Sequence, residues 1–359
     1  MTLSVAIRHA VGDFTLDVAF DAPNPGITAL FGRSGAGKST IIAAVAGLIR
    51  PAACRVAIDG TPIVDTARGL YVAPERRRIG LVFQDTRLFP HMSVAANLRY
   101  GLRRAPAGPI GFDDIVDLLG IAPLLERRPH NLSGGEKSRV AIGRAILSQP
   151  LLLAMDEPLA SLDEQHKAEI LPYLARLKQV LGLPILYVTH SLDEVARLAD
   201  TLVLIRAGRV LATGPVEAIL ARGDLPLAAR DDAAAVLPAR VVAHDPARQL
   251  TELVAGGRRL LVPLLATPPG GSVRVRIPAR EVILASAAPQ GISVHNVIAG
   301  SVHGIVQDAG RHASMVEVAL DGVGLLARVT PDAVTRLALS PGVPVLALVK
   351  SMAIEVLGD

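Results

Sequence analysis

The segment Gly32-Arg33-Ser34-Gly35-Ala36-Gly37-Lys38-Ser39-Thr40, set between the apolar run Ile27 to Phe31 and the helical pattern of Ile41 to Leu48, constrains this chain more than any other. Its surroundings read as strand, loop and helix start. In that context G-x-x-x-x-G-K-[ST] is a phosphate-cradling loop. The glycines let backbone N–H groups converge on a polyphosphate, Lys38 reaches the outer phosphates, and Ser39 holds Mg²⁺. The helix N-terminus adds its dipole to the same anion site. The plain alternative is a Gly-rich entry turn with no ligand, and the strand before it and the helix after it argue against that.

Length and composition narrow the rest. A chain of 359 residues, half of them hydrophobic, can bury a large core and is expected to form two or three domains. The single Cys54 excludes an internal disulfide and a Cys-based metal site, which suits a reducing cytoplasm. The amino end, MTLSVAIRHAVGDF, lacks the character of a signal peptide, and no apolar run reaches the roughly 18 residues of a membrane span, so the chain is expected not to cross a membrane. A net charge of +4 and 3% aromatic residues offer no stacking platform for nucleic acid, and no nucleic-acid partner is expected.

Along the chain, Leu3 to Phe20 alternates as a hairpin, with Pro23, Pro25 and Gly26 turning into the strand before the phosphate loop. Arg55 to Ile58 and Arg78 to Phe83 read as strands. From Asp85 to Gln149 the period becomes helical, as an inserted subdomain. Buried strands follow at Leu151 to Met155, Ile185 to Thr189 and Leu202 to Ile205, separated by helices at Ala168 to Leu181 and Leu192 to Leu198. That alternation implies a parallel sheet covered on both faces. The stretch Leu220 to Val236 carries no sustained period and reads as a linker, beyond which short Val-rich strands take over. Val273 to Ala279, leading to Val282 and Leu284, aligns with Val345 to Ser351, leading to Ile354 and Val356. Each copy follows a glycine turn, at Gly271 and Gly342, which suggests a duplicated small β-barrel lobe against the plainer reading of two similar strands.

Several further motifs carry chemistry. The strand Leu151 to Met155 delivers Asp156 and Glu157 at its carboxyl end: Asp156 suits Mg²⁺, and Glu157 suits a base that polarises the attacking water, the two requirements of phosphoryl transfer to water. His190 ends another buried strand, where it is either a packed strand-end histidine or a contact to the terminal phosphate. Leu132-Ser133-Gly134-Gly135-Glu136 opens a helix with Ser133 as its cap and two glycines baring N–H groups, a second anion site or simply a capped helix.

Taken in order, the phosphate loop, Gln84, Leu132 to Glu136, Asp156-Glu157, Ser161-Leu162-Asp163 and His190 resemble the ATPase subunit of ABC transporters over Met1 to about Ala221. The resemblance implies ATP and Mg²⁺ as cofactors and a head-to-tail homodimer. In it each ATP lies between one subunit's Gly32 to Thr40 and the partner's Ser133, Gly134 and Gly135. It also implies that Ser39, Gln84 and Asp156 attend Mg²⁺, that Glu157 and His190 are catalytic, and that Asp163 faces the opposite subunit. At the family's adenine-stacking position this chain has Val11 or His9, and Phe14 is the nearest aromatic.

Within that family, Phe83 to His91, Asn97 to Gly101 and Pro74 to Arg78 look like the ATPases of molybdate importers. Ile292-Ser293-Val294-His295-Asn296, with Ala347 to Ser351, is similar to the molybdate-binding Mop domain, although His295 stands where that domain has an arginine. Ser293, Asn296, Lys350 and Ser351 are the candidate oxyanion contacts. From Gly291 onward there are four Lys or Arg against six Asp or Glu, so an anion site there must be local.

The expected architecture is therefore an α/β nucleotide-binding domain over residues 1–229, with a helical subdomain at about 85–149. A linker and first β lobe follow over 230–288, and an all-β, OB-like Mop or TOBE domain over 289–357. The resemblance implies two transmembrane permease subunits, a periplasmic or surface binding protein, molybdate or tungstate at the C-terminal domain, and a peripheral location on the cytoplasmic face of the inner membrane. The nearest rival is the same machine for sulfate or another solute. More distant ones are a soluble ABC ATPase of DNA repair or translation, disfavoured by the single cassette and absent heptads, and an oxyanion sensor with vestigial ATPase, disfavoured by intact Lys38, Asp156 and Glu157.

Overall fold

The computed structural model describes residues 2–308, 310, 312–320 and 323–358, apart from the side chain of residue 179. The chain divides into two compact units, Met1–Gly214 and Pro215–Asp359. The first contains strands β1 (Thr2–Val11), β2 (Phe14–Pro23), β3 (Gly26–Phe31), β4 (Ala53–Ile58), β5 (Thr61–Asp65), β6 (Leu70–Tyr71), β7 (Ile79–Val82), β8 (Leu152–Asp156), β9 (Pro184–Thr189), β10 (Thr201–Arg206) and β11 (Arg209–Pro215). Its helices are α1 (Lys38–Ala46), α2 (Val94–Leu102), α3 (Phe112–Leu118), α4 (Gly134–Ile146), α5 (Glu164–Leu181) and α6 (Leu192–Leu198).

These strands form one sheet in the order β6-β5-β4-β1-β2-β11-β10-β3-β9-β8-β7. The run from β10 to β7 is parallel, as the alternation of strands and helices predicted. The sheet does not stop there: the amino-terminal hairpin continues through β4 and β5 as an antiparallel extension. Sequence reasoning found that hairpin and β4, but their continuity with the parallel half depends on β11 pairing alongside β2, a contact between distant segments.

The central strands are buried on both faces, so their apolar runs split by parity. Leu153 and Met155 of β8, with Ile185 and Tyr187 of β9, join the core beneath α2 to α5, while Leu152, Ala154, Leu186 and Val188 join the core around α1 and the hairpin. Each such fully buried Leu, Ile, Val or Met side chain contributes roughly 1.5–3 kcal/mol. No helix among the described residues is long and apolar enough to cross a membrane.

The second unit holds α7 (Val216–Leu220), β12 (Ala234–Asp245), β13 (Leu250–Ala255), β14 (Arg258–Pro263), β15 (Ser272–Pro278), β16 (Ile283–Ala285), β17 (Asn296–Asp308), β18 (Ala313–Leu320), β19 (Val323–Val329), α8 (Pro331–Arg336), β20 (Pro344–Val349) and β21 (Glu355–Leu357). The stretch that reads as a linker is not free chain. Ala228 and Ala233 are buried with Ala279, Met315 and Leu326 in a small cluster.

The internal repeat is visible as strand, short 3₁₀ turn and strand: β15, Ala279–Glu281 and β16 in one copy, β20, Ser351–Ala353 and β21 in the other. Both long strands also carry a register shift at matching places, Val241/Ala243 in β12 and Val302/Gly304 in β17. The two copies do not close separately. β16 pairs with β20 and β21 pairs with β15, so each sheet, β14-β13-β12-β15-β21 and β16-β20-β17-β18-β19, ends on a strand from the other copy. A single apolar core spans both sheets.

Asn296 pins this exchange. Its Oδ1 accepts the Leu261 N–H at 2.7 Å, and its Nδ2 donates to Leu261 O at 3.0 Å and Val349 O at 3.1 Å, so the side chain serves β14 as a strand neighbour would. We expect Asn296→Ala, which leaves the Leu261 amide group unpaired, to cost about 1–3 kcal/mol in urea unfolding of the full-length chain. A loss below about 0.5 kcal/mol, the range of an ordinary surface substitution, would mean that water replaces these bonds freely.

Candidate functional site

Three neighbouring parallel strands, β3, β9 and β8, end beside one another and carry the motifs at their carboxyl ends. The phosphate loop follows β3, His190 follows β9, and Asp156 and Glu157 close β8. This is where open α/β sheets bind ligands, because the loops diverge there and helix N-termini point inward.

The loop meets strict steric demands. Gly37, the N-cap of α1, lies at φ 99°, and Gly35 at φ 79°, both left-handed. A Cβ on Gly32 would sit 2.4 Å from the Ile205 carbonyl oxygen, and one on Gly37 would meet Leu16 Cδ1 at 2.7 Å and Phe14 Cζ at 3.2 Å. Phe14, the aromatic nearest the adenine-stacking position, therefore packs against the phosphate loop itself.

Lys38 is 5% exposed, and its Nζ donates to Gly32 O at 2.8 Å and Arg33 O at 3.2 Å, with Glu157 Oε1 at 3.9 Å. Burial lowers its pKa, against the opposing pull of the Glu157 and Asp156 carboxylates. Ser39 Oγ donates to Asp156 Oδ1 at 3.0 Å, and burial raises the Asp156 pKa despite that bond. A hydroxyl and a carboxylate so joined form an all-oxygen donor set, the chemistry Mg²⁺ prefers.

Glu157 adopts a left-handed backbone, φ 44°, uncommon for a residue with a side chain. Its N–H bonds Val188 O at 3.0 Å, which ties the turn to β9, and its Oε2 lies 3.1 Å from His190 Nδ1. Lys38, Glu157 and His190 thus form one contiguous group.

The remaining candidates lie outside that group. Ser133 caps α4 in a reciprocal box: Glu136 N–H donates to Ser133 Oγ at 3.2 Å, and Ser133 N–H to Glu136 Oε2 at 2.7 Å. Gly134 is exposed and Gly135 buried, and a Cβ on Gly134 would meet Leu162 at 2.7 Å. Asp163 caps α5 and accepts from His166 N at 2.9 Å, with His166 Nδ1 at 2.8 Å, contacts that hold it below the usual carboxylate range. Gln84 is exposed, just past β7. In the second unit Ser293 and Lys350 are exposed, while Ser351 is buried with its Oγ 3.3 Å from His295 Nδ1.

Sequence reasoning gave no joining role to the polar residues that connect these motifs. Arg144, on α4, donates to Arg87 O at 2.9 Å and Thr86 O at 3.2 Å, and so holds the segment after Gln84 to the helix that Ser133 begins. Asn97, buried on α2, brackets Phe89 through its N–H at 2.8 Å and its carbonyl at 3.1 Å. Ser138 Oγ donates to Pro158 O at 3.1 Å, next to Glu157. Tyr187 and Thr189 share a face of β9, and both reach the buried Glu194.

A three-strand site with this loop, strand-end carboxylate pair and histidine defines an ATP-binding cassette. A family model described as "ABC transporter" matches residues 16–160, and one described as "TOBE domain" matches residues 292–356. Among curated proteins, the chain is 49% identical to a "Molybdenum import ATP-binding protein ModC" of Mesorhizobium japonicum over 99% of this chain and 96% of that one. It is 50% identical to the protein of the same description from Granulibacter bethesdensis, over 99% and 98%. Among solved structures, cbiO1 from Clostridium perfringens, part of the ABC transporter complex cbiONQ, matches with TM-score 0.53 and 29% identity over 62% of this chain and 91% of that one. A nucleotide-free ATP-binding cassette from an ABC transporter matches with TM-score 0.52 and 25% identity over 60% and 92%. The chain belongs to the ModC family of ABC transporter ATP-binding proteins.

Because the Asp156 pKa is raised, the fold binds that proton more tightly than the unfolded chain does. Stability from this group is full below the ordinary carboxylate pKa and is lost as pH rises through the raised value. Asp156→Asn should therefore raise the melting temperature at pH 7, with the gain shrinking as pH falls toward the ordinary carboxylate range. Calorimetry across that range checks this, and a lower melting temperature at pH 7 would mean that the Ser39 bond and the Lys38 field outweigh burial.

Proposed function

We propose that the chain is the ATP-hydrolysing subunit of a molybdate import complex and works as a head-to-tail homodimer. The observation that carries hydrolysis is Glu157, held in a strained turn between Lys38 and His190. The cargo rests on full-length similarity to proteins described as molybdenum importers.

In this reading Gly32 to Thr40 cradle the ATP phosphates, and Lys38 exchanges its carbonyl bonds for the outer phosphates. Ser39, Asp156 and Gln84 would hold Mg²⁺, which when bound offsets charge on the phosphate oxygens. Glu157 accepts a proton from the attacking water, and His190 orients Glu157 through Nδ1 while its ring faces the terminal phosphate. The amino end of α4, with Ser133, Gly134 and Gly135, serves the partner's ATP, and Asp163 contacts the opposite subunit.

Two permease subunits and an external binding protein complete the complex, with this chain peripheral on the cytoplasmic face of the inner membrane. At the C-terminal domain, Lys350, Ser351 and Ser293 are the proposed contacts for molybdate or tungstate. Asn296 supports them from within, since both its amide protons are already donated to Leu261 and Val349.

Glu157→Gln preserves size and removes the base, so ATP binding should persist while turnover falls at least about a hundredfold. Radiolabelled molybdate uptake into vesicles holding the complete transporter tests the cargo: ATP-dependent uptake that the Glu157→Gln variant abolishes supports it. Sulfate uptake without molybdate uptake would instead make this the ATPase of a sulfate importer. Mixing Lys38→Ala and Ser133→Arg chains, each inactive alone, should restore one composite site. Normal hydrolysis by Ser133→Arg alone would rule out the shared site.

A further inference from the structure

Glu194 is a carboxylate almost closed off from water, 4% exposed, that the hydrolytic scheme leaves unused. It sits on α6, and its Oε2 accepts from Thr189 Oγ1 at 2.7 Å and Tyr187 Oη at 2.9 Å, both on β9. Its Oε1 lies 3.7 Å from Lys167 Nζ on α5. The Thr189 hydroxyl also accepts the Ser191 N–H at 3.0 Å, so the turn that presents His190 closes on a group Glu194 holds. Lys167 stands in the first turn of α5, its N–H reaching Asp163 O at 3.0 Å, and Asp163 is the cap of that helix. A buried charge is costly unless paired, and here two hydroxyls pair it, with the Lys167 ammonium, which also donates to Glu164 Oε1 at 3.0 Å, close by.

We propose that Glu194 is a positioning residue that locks the strand end carrying His190 to the helix start carrying Asp163. The group facing the terminal phosphate and the segment facing the partner subunit then move as one body. This rests on the roles given to His190 and Asp163 above. The effect on catalysis is geometric, because a displacement of about 1 Å at a catalytic group can cost roughly a hundredfold.

The test uses the full-length chain and steady-state ATPase kinetics. Lys167→Met and Thr189→Val should each lower kcat about tenfold while the KM for ATP stays within about twofold, and Lys167→Arg and Thr189→Ser should retain most activity. Because Lys167 acts through His190, adding Lys167→Met to His190→Ala should cost little more than His190→Ala alone, the mark of coupled residues. Native kcat in Lys167→Met and Thr189→Val overturns the proposal, as does an additive loss in the double variant. A fall in melting temperature with kcat unchanged overturns it too, leaving Glu194 a structural pin. Native turnover in His190→Ala overturns both the proposal and the role of His190, whereas a crippled His190→Ala beside a native Lys167→Met overturns the proposal alone.

Discussion

Lys38 is a cation kept nearly out of water next to two carboxylates, and the strand-end site is built around that arrangement. Burial works against its charge, while Glu157 and Asp156 work for it. The loop supplies the rest through the Gly32 and Arg33 carbonyl oxygens. A polyphosphate offers the same ammonium a stronger partner than two carbonyls, which makes the pocket receptive to ATP. The adjacency of β3, β9 and β8 brings Lys38, His190 and the carboxylates within reach of one another from segments far apart in sequence.

Around that centre, polar side chains connect elements that apolar packing alone would leave independent. Arg144 joins the segment after Gln84 to α4, and Ser138 joins α4 to the turn after Glu157. Such bonds are directional and are lost by small displacements, so a shift at one motif is felt at the next.

The second unit solves a different problem. Two short duplicated sheets would each expose an edge, and an open edge invites pairing with other chains. Exchanging β16 and β21 between the copies covers one edge of each sheet with a strand from the other, and it places both sheets over one core. Asn296 continues the exchange to β14, which explains why this candidate oxyanion residue is buried and fully engaged.

Much of this was legible beforehand. The phosphate loop, the apolar strand ending in Asp156-Glu157 and the capped helix at Ser133 are local patterns, set by glycine conformations, strand parity and capping chemistry that act within a few residues. The repeat in the second unit was legible for the same reason. The exchange of its last strands, the antiparallel extension through β11 and β2, the Phe14 ring against Gly37, and the roles of Glu194, Arg144 and Asn296 were not. Each depends on which distant groups come within hydrogen-bonding or van der Waals reach, and only the packed chain decides that.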